Sequence, residues 1–398
     1  MPLNTLFDER IRNPRPVPTP RRNTCTLSLR RQTASSPERR GSRAPCRQSR
    51  WLTPPSQDSS PHPARGAERQ PEPRPTHPTP IPRRQGCFKL ALMGMPKCGK
   101  SSVQKVVFEK VAPADTLYFE VTRKIESASM QSFIHFESVE VPSHLSWPSP
   151  ESDHATVFSS VGAVVWIIDS QDEYISSIDE LLRTVVFLAV HYPHIHIHVF
   201  IHKTDGLSDE YRYDTFREVR QRVQDELSDC GHTDRVVGYY QTSIFEPSVF
   251  DAVSKVVQTL LPQLSALESL LNRLCSSSRI QKAFLFDTPT RLYLAADTSA
   301  AFLRDYELCA DHVDVLVDIK QLYTWRDGAR AGAGAATPIA ESTVTSDATG
   351  DTYLYAREIN ESLSLLCVMG KGCSVRQRAL IDYNVEIMHE ALVDIFRL

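Results

Sequence analysis

The sequence predicts an α/β domain with a mostly parallel, doubly wound sheet over residues 87–247. A disordered tail precedes it over residues 1–86, and an α+β domain follows over residues 248–398. Three observations support this prediction. Arginine and proline are concentrated before residue 87; a strand, a glycine-rich loop and a helix follow from Phe88; and the order of elements changes after Ser248. Alternating strands and helices are typical of a parallel sheet, whereas grouped strands indicate an α+β layer.

Residues 1–86 have the composition of a chain that does not fold by itself. They contain 17 arginines, no lysine and six acidic residues, a net charge of +11, together with 17 of the 27 prolines. So few large apolar side chains bury too little surface to offset the entropy lost on ordering. Four prolines between residues 14 and 20 also disfavour the helix of a mitochondrial presequence.

The positive charge of this tail suits an anionic lipid or a nucleic acid. A solvated extension is the better account, and a wrongly assigned start codon is a further alternative. We therefore assign the tail no function and do not predict nucleic acid as a partner.

No segment of the sequence is suited to crossing a membrane. The longest apolar run, residues 161–168, is far shorter than the ~18 residues that a membrane-spanning helix needs. No signal peptide, myristoylation site or prenylation box is recognised. Nine cysteines without a C-x-x-C spacing are typical of reduced thiols. We expect a cytoplasmic protein that reaches any membrane through partners.

A phosphate-binding loop is predicted at residues 94–101. The apolar residues 88–93 have the length of a strand, and the sequence Gly-Met-Pro-Lys-Cys-Gly-Lys-Ser that follows fits the pattern G-x-x-x-x-G-K-[ST]. Four valines between residues 103 and 111 then repeat with helical spacing. This order of strand, loop and helix favours a nucleotide site over a glycine-rich turn without a ligand.

The residue types of this loop match the chemistry of a nucleotide phosphate. Gly94 and Gly99 allow successive backbone N–H groups to converge on one anion. Lys100 places a positive charge on the β- and γ-phosphates, and Ser101 offers a hydroxyl ligand to Mg²⁺ at the helix N-terminus. The predicted phosphate-binding residues of the loop are Gly94, Lys97, Cys98, Gly99, Lys100, Ser101 and Ser102.

A second motif indicates that the base is guanine. Residues 195–201 form another apolar strand, which is followed by His202, Lys203, Thr204 and Asp205. A carboxylate at Asp205 can accept hydrogen bonds from guanine N1–H and the 2-amino group, and adenine offers no such pair. The methylene stem of Lys203 can cover the face of the base. The predicted guanine-binding residues are His202, Lys203, Asp205, Ser243 and Ile244.

These motifs, in this order, resemble those of the Rag small GTPases of the C/D type. The resemblance rests on Gly-Lys-Ser-Ser-Val-Gln-Lys-Val-Val-Phe at residues 99–108, Val-Phe-Ile-His-Lys-Thr-Asp-Gly-Leu-Ser-Asp at 199–209 and Thr-Ser-Ile-Phe at 242–245. Shorter matches at residues 254–258, 282–287, 306–309 and 380–384 extend it through the chain. His202, where other GTPases have Asn, is a mark of this group. The resemblance implies GTP or GDP with Mg²⁺ as ligands and GTP hydrolysis as the activity.

The resemblance also places the two switches that sense the γ-phosphate. It implies that Thr122 is the first-switch threonine, which contacts the nucleotide phosphates and binds Mg²⁺. Thr116 is a second candidate for this role. The second switch of the family normally reads Asp-x-x-Gly-Gln, and the aligned residues here are Glu140, Ser143 and His144 at the three defined positions.

Each of these three substitutions affects the apparatus that distinguishes GTP from GDP. Glu140 would hold a magnesium-bound water, which makes the implied metal set Ser101, Thr122 and Glu140. His144 is the implied catalytic residue, because it stands where a glutamine orients the attacking water. We expect nucleotide binding with slow or partner-dependent hydrolysis. The alternative is a degenerate GTPase that serves only as a structural subunit.

A run of alternate histidines offers a different site. His194, His196 and His198 share one face of a strand and could present imidazoles to a metal. No cysteine or carboxylate nearby in sequence completes a ligand set. Histidines satisfied within the strand are therefore the better interpretation.

Residues 248–398 predict a second domain with one sheet face covered by helices. A helix over residues 248–276, broken at Pro262, precedes strands at 282–287 and 291–296, a helix over about 304–325, and strands near 339–346, 352–358 and 362–369. Residues 328–336 are a low-complexity loop, and Ser374 opens a capping box before the last helix.

This order of elements resembles the roadblock-like domain of the Rag family. The resemblance implies a heterodimer with a Rag GTPase of the A/B type and docking on a roadblock-containing membrane scaffold complex. It further implies a role in coupling amino-acid supply to TOR complex 1 at the lysosome or vacuole. An ordinary core without a partner is the alternative, because interface helices and core helices show the same apolar stripes.

Overall fold

The structure of the protein, a computed structural model, describes residues 27–30, 87–120, 122–130, 133–145, 154–300, 302–327, 341–345, 353–360, 362–369 and 375–397. Within these ranges the strands are β1 (Leu27–Arg30), β2 (Cys87–Gly94), β3 (Glu126–Met130), β4 (His135–Glu140), β5 (Val161–Asp169), β6 (His196–His202), β7 (Val237–Thr242), β8 (Lys282–Asp287), β9 (Leu292–Ala296), β10 (Glu341–Thr345), β11 (Tyr353–Glu358) and β12 (Leu363–Met369). The helices are α1 (Lys100–Phe108), α2 (His154–Phe158), α3 (Ile175–His191), α4 (Asp209–Asp229), α5 (Ser248–Thr259), α6 (Leu264–Ser278), α7 (Leu303–Asp327) and α8 (Val375–Arg397). Short 3₁₀ turns cover Pro113–Tyr118 and Thr204–Gly206.

The first sheet has the order β3-β4-β2-β5-β6-β7. All neighbours are parallel except the edge pair β3–β4, which is antiparallel. Valines of α1 and α5 pack on one face, and α3 and α4 pack on the other. The predicted doubly wound, mostly parallel sheet is thus confirmed, and the carboxyl ends of its parallel strands meet at one edge, where such folds bind ligands.

Strand register aligns the ends of these strands with one another. Leu92 near the end of β2 pairs with Glu140 at the end of β4, and Gly94 pairs with Ile167 of β5. His202 at the end of β6 pairs on one side with the last residue of β5 and on the other with Thr242 of β7. The predicted phosphate and base motifs therefore begin at neighbouring points on the same edge.

The second sheet has the order β1-β10-β11-β12-β8-β9 and is antiparallel throughout. The predicted succession of helices and strands is found within about two residues of the expected bounds. Helices cover both faces of this sheet, with α6 and α8 on one and α7 on the other. The expectation of one covered face was therefore wrong, because all six residues of β8 are buried and its alternate side chains fill two separate cores.

Four residues of the N-terminal tail form an edge strand. In β1, Leu27 pairs with Val344 and Arg30 pairs with Glu341 of β10. The prediction of a tail without regular structure does not hold for these residues, because an open sheet edge offers unpaired backbone groups to any extended segment. For the remainder of the tail the prediction lies outside the described residues, as do those for the loop at 328–336 and for Ser374.

Helix α5 lies between the two sheets. Its valines share a hydrophobic core with α1 and with β9, and the Ser254 hydroxyl accepts a hydrogen bond from Tyr293 N–H of β9 at 3.1 Å. The predicted break at Pro262 falls between α5 and α6. The predicted domain boundary at residue 247 stays a prediction, since α5 contacts both sides of it. None of the helices in the described ranges is long and apolar enough to cross a membrane.

Candidate functional site

The loop between β2 and α1 has the strained backbone that its glycines allow. Gly94 has φ 141° and Gly99 has φ 104°, conformations that residues with a Cβ rarely adopt. A Cβ on Gly94 would lie 2.3 Å from the Ile167 carbonyl oxygen, and one on Gly99 would lie 2.6 Å from Cδ2 of His202. Lys97 also has positive φ, at 63°. The loop is therefore held against both β5 and β6.

Lys100 begins α1 and its side chain folds back over the loop. Its Nζ donates to the carbonyl oxygens of Gly94 at 3.0 Å and Met95 at 2.8 Å. The residue is 6% exposed, and its ammonium lies 3.9 Å from the Cys98 sulfur. Burial raises the pKa of the Cys98 thiol, so this cysteine is a neutral packing residue beneath the loop. Lys100 thus lies where the motif predicts a phosphate-binding charge.

The three residues predicted to hold a metal lie together. The Ser101 hydroxyl donates to Glu140 Oε1 at 2.8 Å and lies 3.0 Å from the Thr122 hydroxyl. Glu140 is buried at the end of β4. Two hydroxyls and a carboxylate are hard oxygen donors, so the set fits Mg²⁺. The other candidate threonine, Thr116, donates to the Pro113 carbonyl oxygen at 2.8 Å in a separate 3₁₀ turn.

The second switch follows β4 as a turn. Leu145 N–H donates to the Pro142 carbonyl oxygen at 3.3 Å. Ser143 is half-buried and His144 is exposed. The structure therefore places His144 on a surface turn, next to the strand that ends at Glu140, and its catalytic role stays a prediction.

The loop after β6 brings the predicted guanine-binding residues to the same edge. Lys203 has φ 62° and its Nζ donates to the Lys97 carbonyl oxygen at 2.9 Å, which joins this loop to the phosphate-binding loop. Asp205 is exposed, and its Oδ1 accepts from the Ser243 hydroxyl at 2.6 Å. Ser243 also accepts from Phe245 N–H at 3.1 Å, and half-buried Ile244 lies between them in sequence. The Asp205 carboxylate is thus oriented by a buried serine and open to solvent on its other side.

His202 occupies the centre of the site and is 1% exposed. Its Nδ1 lies 2.9 Å from the Thr242 hydroxyl, and its ring fills the space beside Gly99. Burial, with the nearby charge of Lys203 as a second cause, lowers the pKa of His202 to about 4. The imidazole is therefore neutral at physiological pH and joins three segments by packing and one hydrogen bond.

Two residues at the end of β5 and just beyond it were missed by sequence reasoning. The Asp169 carboxylate forms an ion pair with Lys203 Nζ, and Gln171 Nε2 donates to the Lys203 carbonyl oxygen at 2.7 Å. An acidic residue that ends a buried apolar strand of the same sheet was the available signal, because β5 ends beside β6. Nothing in the local sequence indicated which partner it would meet.

The alternate histidines at residues 194–198 differ in their surroundings. His198 is buried beside Tyr240, with ring centroids 5.9 Å apart, whereas His194 and His196 are exposed. Burial lowers the pKa of His198 to about 4, with the charge of His196 as a second cause. Among the residues that the structure describes, no group of three or more His, Cys, Asp or Glu side chains could hold a metal ion.

Comparison with known proteins agrees with this geometry. The family model described as the Gtr1/RagA G protein conserved region matches residues 89–313. GTP-binding protein gtr2 of Schizosaccharomyces pombe is 39% identical over 77% of this chain and 98% of its own length. Ras-related GTP-binding protein C of Homo sapiens is 39% identical over 77% of this chain and 76% of its own.

The other branch of the family is more distant. GTP-binding protein GTR1 of Saccharomyces cerevisiae is 23% identical over 58% of this chain and 76% of its own length. The sequence identity to Gtr2 and the C/D group is therefore higher than the identity to GTR1, and it extends over a larger share of this chain. The chain belongs to the Gtr1/RagA family of guanine-nucleotide-binding G proteins, within the group of Gtr2 and the Rag GTPases of the C/D type.

Proposed function

We propose that this protein is the C/D-type subunit of a Rag heterodimer and that it binds GTP or GDP at the carboxyl edge of its parallel sheet. The observation that supports this most directly is the position of Lys100 and Asp205 on the two loops that Lys203 joins through the Lys97 carbonyl oxygen. One loop carries the groups that suit phosphates, and the other carries the groups that suit guanine.

The phosphate end of the proposed site would hold Mg²⁺ with Ser101 and Thr122 as ligands and Glu140 close to a bound water. The ion would neutralise part of the negative charge of the phosphates. Ser101 and Glu140 are hydrogen-bonded to each other at 2.8 Å, so the residues themselves are already arranged around one point. The Thr122 hydroxyl already lies 3.0 Å from the Ser101 hydroxyl and would complete the set.

The base end would select guanine through Asp205. One of its carboxylate oxygens accepts from Ser243, which orients the group for the paired N1–H and 2-amino donors of guanine. Adenine lacks these donors, so a bound adenine would cover the carboxylate without offering it hydrogen bonds in exchange for water. We therefore expect GTP and GDP to bind much more tightly than ATP and ADP.

Hydrolysis in the proposed site is slow or depends on a partner. Glu140 has one methylene more than the usual aspartate, Ser143 lacks the conformational freedom of glycine, and His144 replaces the glutamine that orients water. His144 is also exposed on a surface turn. A partner that orders this turn would supply what these substitutions remove.

The proposed setting follows from the family. The partner would be a Rag GTPase of the A/B type, which pairs through the α+β domain over residues 248–398, a domain with the element order of a roadblock-like fold. The heterodimer would dock on a roadblock-containing scaffold at the lysosomal or vacuolar membrane. There it would couple amino-acid supply to TOR complex 1.

The deciding experiment is to co-express the full chain with an A/B-type Rag GTPase, purify the complex and identify the bound nucleotide by chromatography. GTP or GDP at one equivalent per nucleotide site supports the proposal. Competition with ATP then measures base selectivity, and equal affinity for adenine and guanine nucleotides would contradict it.

The second candidate function is a structural subunit that binds nucleotide without acting as a switch. The three substitutions at residues 140, 143 and 144 favour it, because they remove the usual γ-phosphate sensor while leaving the phosphate-binding loop intact. Ser101→Asn separates the two functions. Loss of signalling with retained partner binding supports the switch, whereas unchanged signalling supports the structural subunit.

A further inference from the structure

The residues from Asp169, at the end of β5, to Gln171 hold the loop after β6, here called the base loop, at three points. The Asp169 carboxylate pairs with the Lys203 ammonium, and Gln171 Nε2 donates to the Lys203 carbonyl oxygen at 2.7 Å. Between these two residues, Ser170 N–H donates to the His202 carbonyl oxygen at 2.9 Å. One short segment therefore contacts the backbone and the side-chain tip of the same lysine.

The shape of the base loop is matched to this segment. A Cβ on Gly206 would lie 2.2 Å from Gln171 Nε2, so the glutamine occupies the space that a side chain at position 206 would need. Asp169 is itself oriented, because its Oδ1 accepts from Gln171 N–H at 2.9 Å while its Oδ2 faces Lys203. The hydrogen bonds and the ion pair among Asp169, Gln171 and Lys203 thus form a closed ring.

Lys203 needs such support. Its φ of 62° is uncommon for a residue with a side chain, and its side chain is about a third exposed, with a relative accessibility of 35%. Among the described residues, the ammonium donates to two acceptors, the Asp169 carboxylate and the Lys97 carbonyl oxygen. Fixing both ends of the side chain also fixes the methylene stem between them.

We propose that Asp169 is a positioning residue for nucleotide affinity, because it anchors the Lys203 ammonium and thereby holds the lysine stem over the face of the guanine. This inference rests on the proposed function and adds a residue that the motifs do not contain. The stem contacts the face of a base and not its edge. Asp169 therefore sets how long a nucleotide stays bound, while Asp205 reads which base is present.

The test is the release of GDP carrying a fluorescent ribose label from the full-length chain in its co-expressed complex. Asp169→Asn keeps the size of the side chain and removes its charge, so we expect about tenfold faster release. Release of the inosine analogue, which lacks the 2-amino group, should accelerate by the same factor. Asp172→Asn is the matched control, because this nearby exposed carboxylate accepts a hydrogen bond from the N–H of its neighbour Glu173.

Three further measurements separate positioning from a general loss of structure. Asp169→Glu, which keeps the charge, should recover much of the slow release. Lys203→Ala should also accelerate release, and combining it with Asp169→Asn should add little, since both act through one side chain. A variant that merely folds poorly would lower the fraction of active protein without changing the release rate of the active part.

The outcomes are distinct. Release from Asp169→Asn within about twofold of wild type, or fully additive effects of the two substitutions, overturns the positioning role. If the wild-type protein retains GDP, the proposed function stands even when one of these two results rules out the positioning role. Wild-type protein that does not bind guanine nucleotide overturns the proposed function and this inference together.

Discussion

Two parts of the candidate site differ in how closely they follow the usual pattern. The gripping region, residues 94–101 and 202–205, keeps both motifs and is bound together by Lys203 and by the packing of Gly99 against His202. The sensing region, residues 122 and 140–144, differs from the family pattern at three positions and ends in an exposed histidine. In the proposed function, different residues therefore bind the nucleotide and sense its γ-phosphate, and substitutions can affect the two roles independently.

The two regions also differ in what lies behind them. The gripping region packs within the first sheet, whereas the hairpin β3–β4, which joins the two switches, reaches the second sheet. Phe133 N–H donates to Asp287 Oδ1 at 3.3 Å, and the Phe133 ring lies edge-on to Phe396 of α8, with centroids 4.7 Å apart. The hairpin that ends at Glu140 therefore contacts the domain proposed to bind the partner.

The gripping region should lose most from Lys100→Ala. Removing the ammonium leaves the phosphates without their nearest positive charge, so we expect GDP affinity to fall by about 100-fold. Equilibrium titration of labelled GDP measures this. Lys105→Ala is the matched control, because Lys105 lies on the same helix and pairs with Glu109 on the surface. Similar affinities for the two variants would show that the loop does not bind phosphate.

Asp205→Asn tests the other end of the gripping region. The amide can no longer accept both guanine donors, so we expect GDP affinity to fall by about 30-fold. Affinity for xanthosine diphosphate, whose base has an oxygen in place of the 2-amino group, should rise. Competition between the two nucleotides measures the change. The exposed carboxylate Asp209, changed to Asn, serves as the control, and an unchanged preference in Asp205→Asn would contradict guanine recognition by this residue.

Restoring the sensing region should change hydrolysis and leave binding nearly unchanged. The triple variant Glu140→Asp, Ser143→Gly and His144→Gln returns the usual pattern, and we expect single-turnover GTP hydrolysis to accelerate by about tenfold because water positioning is recovered. GDP release should stay within about twofold of wild type.

A control for this variant is Glu137→Asp, which shortens a carboxylate on the same strand that pairs with Lys89 outside the site. Hydrolysis at the wild-type rate in the triple variant would mean that the three substitutions do not limit the reaction. A parallel loss of GDP binding would show that the two regions are not separable.

Local motifs explain which parts of the site could be predicted. The phosphate-binding loop and the Lys203–Asp205 segment carry their chemistry within a few consecutive residues, and both lie where the sequence placed them. The hairpin β3–β4 was not predicted, because its residues are largely polar and Ser138 and Glu140 are buried as polar groups. Propensity rules do not expect a buried strand of that composition.

Contacts between distant segments could not be predicted in the same way. Asp169 meets Lys203 only because the ends of β5 and β6 align in register, and a single sequence does not reveal register. The strand β1 is a second case, since its four residues lie in a tail whose composition predicts no structure while their pairing depends on the edge of β10. In both cases tertiary pairing decides the outcome.

The smallest expected effect concerns pH and the histidine at the centre of the gripping region. Burial lowers the pKa of His202, His198 and His312 to about 4 in the folded protein, whereas the pKa of an unfolded histidine is about 6.5. Between these values the unfolded chain binds more protons, so the stabilisation is complete above about pH 6.5 and is lost as the pH falls toward 4.

His202→Asn should remove the part of this dependence that comes from His202, because it replaces the titrating ring with the residue usual at this position. By pH 5.5 each buried histidine costs about 1 kcal/mol of unfolding free energy, so the variant should lose about that much less between pH 7 and pH 5.5. Chemical denaturation at the two pH values measures the difference, with exposed His194→Asn as the control. If His202→Asn and wild type lost equal stability, the ring would have to be solvated or charged in the folded protein, and the close packing of Gly99 against it could not hold.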